Sequence, residues 1–157
     1  LTLLGDALKA VAACLVGYVL IGSLGAYIAG LFCILGHIFP IFYRFKGGKG
    51  VATSGMVILM LSPITAAVCL AVFLIVVIGT RYVSLGSVMG LSLFPIILNA
   101  WSHAYDPPRN PTACMISVVM AVLVVFMHRE NLKRLANRTE SKISFKKKKD
   151  EGEATER

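Results

Sequence analysis

The sequence predicts an all-α integral membrane protein, and both its composition and the length of its apolar segments indicate this class. Of its 157 residues, 57% are hydrophobic and only 15% are charged, and the mean hydropathy is +0.77. A soluble domain has about a quarter of its residues charged, so this chain has too few charges to cover a surface exposed to water. A disordered chain is also excluded, because such chains are poor in apolar residues.

Charge is distributed unevenly along the chain, which predicts an apolar domain followed by a polar tail. The net charge is +8, and residues 128–157 hold ten basic and six acidic residues. We therefore expect one transmembrane helical domain over residues 1–135 and a polar tail over residues 136–157. The lysine run 146–149 predicts attraction of this tail to anionic membrane lipids. Nucleic acid is not expected as a partner, because no aromatic side chains alternate with the basic ones.

The apolar stretches and the points at which they break predict the helices in order. A transmembrane helix needs about 20 residues, so the apolar stretch 51–79 is too long for one crossing without strong tilt. Ser62-Pro63 breaks it, because Pro removes a helical hydrogen bond and clashes with the preceding turn. Gly22-Ser23 is a similar weak point in the first apolar stretch. We predict six short transmembrane helices, near 7–21, 23–39, 50–61, 63–79, 83–101 and 112–127.

The basic residues favour these hairpins over fewer and longer helices. Basic residues next to transmembrane segments collect on the cytoplasmic side. With a turn at each break, four basic segments share one face: Lys9, 44–49, Arg81 and 128–149. Only the loop 102–111 remains on the far face, and its charges are balanced. We therefore expect the functional loops on the cytoplasmic side.

A basic, glycine-rich turn precedes the third predicted helix and has the chemistry of a phosphate site. Its sequence is Lys46-Gly47-Gly48-Lys49-Gly50. Glycines allow a ligand to approach the backbone closely, and a helix N-terminus supplies unpaired N–H groups and partial positive charge. A P-loop is not indicated, because Tyr43 and Gly50 stand where it requires Gly and Ser or Thr. The alternative is a flexible basic turn that contacts lipid headgroups.

Further polar residues lie on the same predicted face, and each has two interpretations. His128 and Asn131 share a face if the helix continues past 127. They could bind a polar substrate, with His128 as a base, or mark an interfacial helix end. Ser84 and Ser87 are helix N-caps or substrate ligands. His37 lies among apolar residues, which favours a structural role.

Cofactor and metal chemistry are not indicated by the sequence. The four cysteines lie in apolar segments without C-x-x-C spacing, which is typical of small buried side chains. Acidic residues are scarce on the predicted cytoplasmic face, so a Ser-His-Asp hydrolase is not expected either. We therefore predict no metal and no cofactor.

Four segments in this order resemble the motifs of a known enzyme family. They are Gly5-Asp6-Ala7-Leu8-Lys9, the stretch from Gly36 to Thr53, Arg81-Tyr82-Val83-Ser84-Leu85-Gly86-Ser87, and the stretch from His128 to Leu135 with Thr139-Glu140 after it. They resemble the motifs of the bacterial membrane acyl-phosphate:glycerol-3-phosphate acyltransferases, and the resemblance extends over nearly the whole chain. The resemblance implies seven transmembrane helices in the bacterial inner membrane, with the active site and the C-terminus in the cytoplasm.

Two departures from the family pattern stand out. The family's first helix and its first motif, a Ser-Gly-Asn-containing loop that ends in Arg, are not in this sequence. We therefore expect the six helices to correspond to helices two to seven of a longer protein. Arg138 stands where the family more often has Gly.

The resemblance implies transfer of a fatty acyl group from acyl phosphate to the 1-hydroxyl of sn-glycerol 3-phosphate, which gives lysophosphatidic acid. Lys49 and His128 are then the expected catalytic residues. The expected acyl-phosphate ligands are Lys46, Gly47, Gly48, Gly50 and Thr53. The expected glycerol 3-phosphate ligands are Ser84, His128 and Asn131. Supporting roles fall to His37, Ser87 and Glu140, with Glu140 fixing the end of the last helix.

Two other function classes remain open at the level of the sequence. A small membrane transporter or binding protein for phosphate or an organophosphate could use the same basic turn. A noncatalytic lipid-binding subunit would fit the helices and the basic tail without needing the glycines.

Overall fold

The computed structural model describes residues 2–41, 47–105 and 111–143, with only the backbone described at 102–105. The regular structure of these residues is entirely helical. The helices are α1 (Thr2–Ile21), α2 (Ser23–Ile38), α3 (Val51–Leu61), α4 (Pro63–Thr80), α5 (Val83–Ser92), α6 (Phe94–Tyr105), α7 (Pro111–Met127) and α8 (Arg129–Ala136). Lys46 and the lysine run 146–149, to which the sequence assigned roles, lie outside the described residues, as do residues 106–110 of the loop 102–111.

The predicted breaks at Gly22 and Ser62 are present, and both have a local cause. Gly22 has a φ of 72°, which is unfavourable for residues with a Cβ atom. The hydroxyl of Ser62 accepts a hydrogen bond from Thr65 N, and Pro63 occupies the first position of α4. Pro is well accommodated there because the N–H that it lacks would have no helical partner. The first predicted helix begins earlier than expected, at Thr2 rather than near residue 7.

Two features differ from the six predicted helices. The helix expected over 83–101 is interrupted at Leu93, between α5 and α6, because Pro95 cannot donate a hydrogen bond to the carbonyl of Leu91, yet Val83–Trp101 still counts as one apolar segment long enough to cross a membrane. Past Met127 the chain does not simply continue its helix. It turns at His128 into the short helix α8, and α7 and α8 are bent by 54° relative to each other.

The described helices include enough long apolar segments for an integral membrane protein. Three described segments are long and apolar enough to cross a membrane: Thr2–Ile21, Pro63–Thr80 and Val83–Trp101. A fourth crossing is available if α7 and α8 together form one bent span, whereas α2 and α3 are shorter apolar helices. Six crossings therefore remain a prediction.

The core is built from residues of α1 to α7, and it contains large side chains that are almost completely buried. These include Ile34, Ile38, Val57, Phe94 and Val124. By contrast, many Leu, Ile and Val side chains of α1 and α4 face outward. An apolar outer surface around a packed interior is what a lipid environment requires.

Close packing of α4 against α5 supports the polar end of the fold. A Cβ atom at Gly86 of α5 would lie 2.5 Å from Cγ2 of Val77 in α4, which is closer than real Cβ atoms approach. Gly86 therefore lets the two helices approach closely. This packing fixes the first turn of α5, which carries Ser84 and Ser87.

The chain reverses after α8 and runs back to the start of α5. Arg138 has a φ of 57°, and the N–H groups of Arg138 and Thr139 donate to the carbonyls of Leu135 and Arg134. This is the Schellman arrangement that ends many helices. Ile143 N then donates to the carbonyl of Arg81 at 2.9 Å. We call residues 139–143 the C-terminal strap. The boundary expected between the helical domain and the polar tail, between residues 135 and 136, remains a prediction. In the structure α8 extends to Ala136, and Glu140 of the strap contacts Ser84 of α5.

Candidate active site

A polar cavity of about 320 Å³ lies between the glycine-rich turn, α5, α8 and the C-terminal strap. Its polar lining comes from four separate parts of the chain: Lys49, Ser84, Ser87, His128, Asn131, Glu140, Ser141 and Lys142. Its apolar lining is Val51, Phe73, Val83 and Ile143. The fold therefore brings together four residues that the sequence singled out for catalysis or substrate binding, together with Ser87 and Glu140, which were given supporting roles.

The glycine-rich turn packs on the end of α2 and directs Lys49 into the cavity. A Cβ atom at Gly48 would overlap Nε2 of His37, and Gly50 has a φ of 78°, so both positions favour glycine. Gly47, Gly48 and Gly50 are not part of the cavity lining, although Lys49 between them is. The glycines thus shape the path of the turn and place its lysine.

Thr53 lies away from the cavity. Its side chain is completely buried in α3, and its hydroxyl has no hydrogen-bond partner among the described residues. Ser54 beside it is also buried and unpaired within the same part of the chain. Thr53, which the family resemblance implied as an acyl-phosphate ligand, is therefore not among the residues that line the cavity.

His128 is almost completely buried at the turn between α7 and α8, with one face on the cavity. Its Nδ1 lies 2.8 Å from the carbonyl oxygen of Val124. A carbonyl only accepts, so Nδ1 carries the proton and donates it. In neutral imidazole the lone pair is then on Nε2. This tautomer leaves His128 able to accept a proton or a hydrogen bond from a ligand.

Glu140 connects α5, α8 and the strap through one carboxylate. Its Oε1 accepts hydrogen bonds from the Ser84 hydroxyl and from Nδ2 of Asn131 at 2.7 Å. Its Oε2 accepts from Nε of Arg134 at 2.8 Å. The hydrogen bond from Ser84, followed by those from Arg134 and Asn131, lowers the pKa of Glu140 to about 2. Glu140 is therefore a carboxylate at neutral pH, and it does more than fix the end of the last helix.

Asn131 offers an unused acceptor at the cavity. Its side chain is 6% exposed, its Nδ2 is committed to Glu140, and its Oδ1 is buried without a hydrogen-bond partner among the described residues. A buried polar atom without a partner is costly. A ligand hydroxyl that reached Oδ1 from the cavity would remove that cost by donating to it.

The two serines of α5 are not helix caps. The N-cap residue of α5 is Tyr82, and it makes no side-chain capping hydrogen bond. The Ser84 hydroxyl donates to Glu140, and the Ser87 hydroxyl donates to the carbonyl of Val83 at 2.9 Å. Both serines instead line the cavity, and their alternative role as substrate ligands stays a prediction.

His37 belongs to a separate polar cluster at the same end of the molecule. Its Nδ1 lies 2.8 Å from Nζ of Lys9 and 3.1 Å from Oδ1 of Asp6. The ring is outside the cavity lining and lies against Gly48 of the glycine-rich turn. Among the described residues, no three His, Cys, Asp or Glu side chains group as metal ligands.

An apolar groove of about 700 Å³ adjoins the polar cavity. The groove and the cavity share three lining residues, Val51, Phe73 and Ser87. The rest of the groove is formed by apolar and glycine residues of α1, α3, α4 and α5, including Leu4, Gly55, Leu59, Leu70 and Gly90. The arrangement joins a site for a small charged molecule to a site for an extended apolar one.

The sequence did not single out the strap residues Ser141 and Lys142, or Phe73, as site residues. Phe73 lies within an apolar helix without any polar neighbour in sequence, so nothing in the pattern marks it. Lys142 is only two residues from Glu140, and this spacing is the one signal that could have indicated it.

Comparison with known proteins is consistent with this geometry. The model of the glycerol-3-phosphate acyltransferase family matches residues 1–138. A protein of Thermoanaerobacter sp. named glycerol-3-phosphate acyltransferase is 44% identical over 144 residues, which are 90% of this chain and 68% of that protein. The protein of the same name from Syntrophomonas wolfei is 41% identical over 150 residues, covering 93% of this chain and 72% of its own length.

Two solved structures share the fold. The crystal structure of PlsY, an integral membrane glycerol 3-phosphate acyltransferase, in its glycerol 3-phosphate form has a TM-score of 0.80 and 30% identity. It covers 90% of this chain and 69% of its own. The lysophosphatidic acid form has a TM-score of 0.81 at the same identity and covers 90% of this chain and 70% of its own.

Proposed function

Because the chain belongs to the glycerol-3-phosphate acyltransferase family of membrane enzymes, we propose that it transfers a fatty acyl group from acyl phosphate to the 1-hydroxyl of sn-glycerol 3-phosphate. The product is lysophosphatidic acid, and inorganic phosphate is released. Family membership supports an acyltransferase that makes lysophosphatidic acid. We propose acyl phosphate as its acyl donor.

The observation that carries the proposal is the junction of the polar cavity with the apolar groove. Glycerol 3-phosphate is small and anionic, and the cavity offers it cations, an imidazole and an amide. A fatty acyl chain needs an apolar channel, and the groove provides about 700 Å³. Val51, Phe73 and Ser87 line both spaces. The carbonyl of an acyl donor held in the groove would therefore lie next to an acceptor held in the cavity.

The proposed chemistry needs no covalent intermediate on the protein. The 1-hydroxyl oxygen attacks the carbonyl carbon, a new ester bond forms, and the bond between that carbon and the phosphate oxygen breaks. The hydroxyl proton goes either to Nε2 of His128 or to a phosphate oxygen of a substrate. Because acyl phosphate is a mixed anhydride with a good leaving group, positioning and charge stabilisation supply most of the catalysis.

We assign the donor phosphate to the glycine-rich turn. Lys49 neutralises the charge that develops on the leaving phosphate, and the backbone of Gly47, Gly48 and Gly50 forms the cradle. Lys46 is the proposed auxiliary cation. The position of Lys49 in the cavity wall supports this assignment. Thr53 receives no contact with the phosphate in this proposal, because its buried hydroxyl lies outside the cavity.

We assign the glycerol 3-phosphate to the opposite wall of the cavity. Oδ1 of Asn131 accepts a hydrogen bond from a glycerol hydroxyl, and Nε2 of His128 faces the reacting 1-hydroxyl. Ser84 contributes its hydroxyl oxygen as an acceptor while it donates to Glu140. The unpaired Oδ1 and the tautomer of His128 support these roles.

The proposed location is the bacterial cytoplasmic membrane, with the cavity on the cytoplasmic side. The apolar outer surface of the helices supports residence in a membrane. The basic residues near the cavity support the cytoplasmic orientation, because such residues collect on that side. Soluble glycerol 3-phosphate would then reach the cavity from the cytoplasm.

The donor is tested with the purified full-length protein and radiolabelled glycerol 3-phosphate. We expect lysophosphatidic acid to form with acyl phosphate and not with acyl-CoA at the same concentration. We expect Lys49→Ala to lower turnover by about a hundredfold, as loss of one stabilising group for a developing charge does. Turnover with acyl-CoA that equals turnover with acyl phosphate would refute the donor assignment.

The proton acceptor is tested separately. If His128 is the base, His128→Gln removes the limb of the pH–rate profile that reports its ionisation. If a substrate phosphate is the base, the profile keeps its shape and only its height changes. Both profiles are measured at saturating acyl phosphate.

A further inference from the structure

Lys142 is a cation in the cavity wall to which the family resemblance assigned no role. It lies in the C-terminal strap and lines the polar cavity together with Lys49. Its Nζ lies 5.3 Å from the centroid of the Tyr82 ring, within the range of a cation–π interaction. Among the described residues, Lys142 forms no salt bridge. Its charge is therefore not neutralised by a carboxylate in this part of the chain, while the residue itself forms part of the cavity wall.

The strap that carries Lys142 is anchored on both sides of it. On one side, Glu140 accepts hydrogen bonds from Ser84, Asn131 and Arg134. On the other side, Ile143 N donates to the carbonyl of Arg81. Only Ser141 and Lys142 lie between these anchors, so the backbone at Lys142 has little freedom. A lysine fixed in this way loses less conformational entropy when it binds an anion.

The charges around the cavity favour an anionic ligand near Lys142. The one acidic residue in the described lining is Glu140, and Arg134 neutralises it through an ion pair at 2.8 Å. Lys49 and Lys142 then remain as two positive charges that come from different parts of the chain. Two phosphate groups bound next to each other repel, and a cation for each of them would offset that repulsion.

We propose that Lys142 binds the phosphate group of glycerol 3-phosphate and thereby sets the affinity for the acceptor substrate. The inference rests on the proposed function and extends it by one residue. Lys142 is two residues from Glu140, which holds Ser84 and Asn131, the groups assigned to the glycerol. Lys49 comes from the glycine-rich turn, which is assigned to the donor. Each lysine therefore binds one phosphate group: Lys49 binds that of the acyl donor, and Lys142 binds that of glycerol 3-phosphate.

The test is the effect of Lys142→Gln on the two Michaelis constants of the purified full-length enzyme. We expect KM for glycerol 3-phosphate to rise about tenfold, as for the loss of one charge-assisted contact. We expect kcat and KM for acyl phosphate to stay within about twofold. Lys142→Arg keeps the charge and should stay within about threefold of the unmodified protein. Lys133→Gln is the matched control, because Lys133 is an exposed lysine of α8 outside the cavity lining.

A second pair of variants tests the aromatic support. Tyr82→Leu removes the ring under the ammonium group and should raise KM for glycerol 3-phosphate about threefold. Tyr82→Phe keeps the ring and should not change it. Thermal unfolding of each variant shows whether the fold is retained, and a role confined to stability would move the unfolding temperature rather than one KM.

Several results would overturn the inference. They are an unchanged KM for glycerol 3-phosphate in Lys142→Gln, a rise only in KM for acyl phosphate, or an Arg variant as impaired as the Gln variant. Failure of the proposed function itself would give a different result. In that case the unmodified enzyme would make no lysophosphatidic acid from acyl phosphate and glycerol 3-phosphate.

Discussion

The backbone of Gly48 lies directly against the imidazole of His37, so closely that a Cβ atom at position 48 would overlap Nε2 of the ring. His37 is itself held from the other side, where its Nδ1 lies within hydrogen-bond distance of Lys9 and Asp6. The turn that carries Lys49 into the cavity therefore rests on a side chain whose position is fixed by α1.

Gly48→Ala should disturb the cavity through this contact. The added methyl group cannot be accommodated without moving either the turn or the ring, and a displacement of about 1 Å at a reacting group costs about a hundredfold in rate. We expect a loss of turnover of about that size, measured with acyl phosphate and glycerol 3-phosphate, while the protein still folds.

Gly79→Ala in α4 is the matched control for that substitution. No neighbouring atom lies within 4 Å of a Cβ at position 79. Turnover should be unchanged there, and a modest gain in stability is expected because Ala favours a helix over Gly. Equal activity of the two Ala variants would contradict the seating of the turn on His37.

Gly55→Leu should shorten the acyl chains that the enzyme accepts. Gly55 lines the apolar groove, and no atom lies within 4 Å of a Cβ built on it, so a larger side chain would extend into the groove. Each methylene excluded from an apolar site costs about 0.8 kcal/mol, or roughly a fourfold loss in kcat/KM. The measurement is kcat/KM for a series of acyl phosphates of increasing chain length.

The control for the groove is Gly79→Leu, which makes the same change at an open position outside the groove lining. Its chain-length profile should match that of the unmodified enzyme. A profile for Gly55→Leu that is lowered equally at every length would show that the acyl chain lies elsewhere.

Glu140→Gln should remove a part of the pH dependence of stability. The pKa of Glu140 is lowered from 4.5 to about 2 by its hydrogen bonds to Ser84, Arg134 and Asn131. A lowered pKa means that the folded state favours the carboxylate. The resulting stabilisation is complete above the unfolded pKa and is lost as the pH falls from about 4.5 toward 2. Thermal unfolding in detergent between pH 3 and pH 6 should therefore be less pH-dependent in the Gln variant.

The same variant should weaken binding of the acceptor at neutral pH, because Asn131 and the strap lose their common anchor. The expected sign is a higher KM for glycerol 3-phosphate. If the unfolding temperature depends on pH equally in the unmodified protein and in Glu140→Gln, the Glu140 carboxylate does not make its contacts with Ser84, Arg134 and Asn131.

Arg138→Gly should stabilise the protein by about 1 kcal/mol. Arg138 has a φ of 57° at the end of α8, in the left-handed region that costs residues with a Cβ atom about 1–2 kcal/mol. Its backbone is part of the Schellman arrangement, in which Gly is the preferred residue. The difference is measured by denaturant unfolding, with Arg138→Ala as a control that keeps the strain. A gain in both variants would assign the effect to the loss of the arginine side chain.

The sequence predicted those features of the fold that have a local cause. Ser62-Pro63 ends one helix and begins the next, because the Ser62 hydroxyl caps the second helix and Pro63 lacks an N–H. Both features can be recognised from these two adjacent residues in the sequence. The break at Leu93 has a similar local cause in Pro95, but the apolar run hid it. Helix positions were predictable in this way because each depends on a few neighbouring residues.

The assembly of the cavity could be predicted only in part. Lys49 of the glycine-rich turn, Ser84, His128 and Asn131 were identified by motif, and the fold brings them to one cavity. The bond between Ser84 and Glu140 joins residues 56 positions apart, and no periodicity encodes it. The return of the strap to Arg81 and the position of Phe73 at the junction depend on tertiary packing, which a single sequence does not display.

The shared wall of Val51, Phe73 and Ser87 also bears on how the products leave. The two proposed products differ in polarity, since one is a soluble anion and the other carries an acyl tail. Phosphate can depart through the polar cavity to water, while the tailed product can partition sideways from the groove into the bilayer. Two exits of opposite polarity would separate the products as they form and so oppose the reverse reaction.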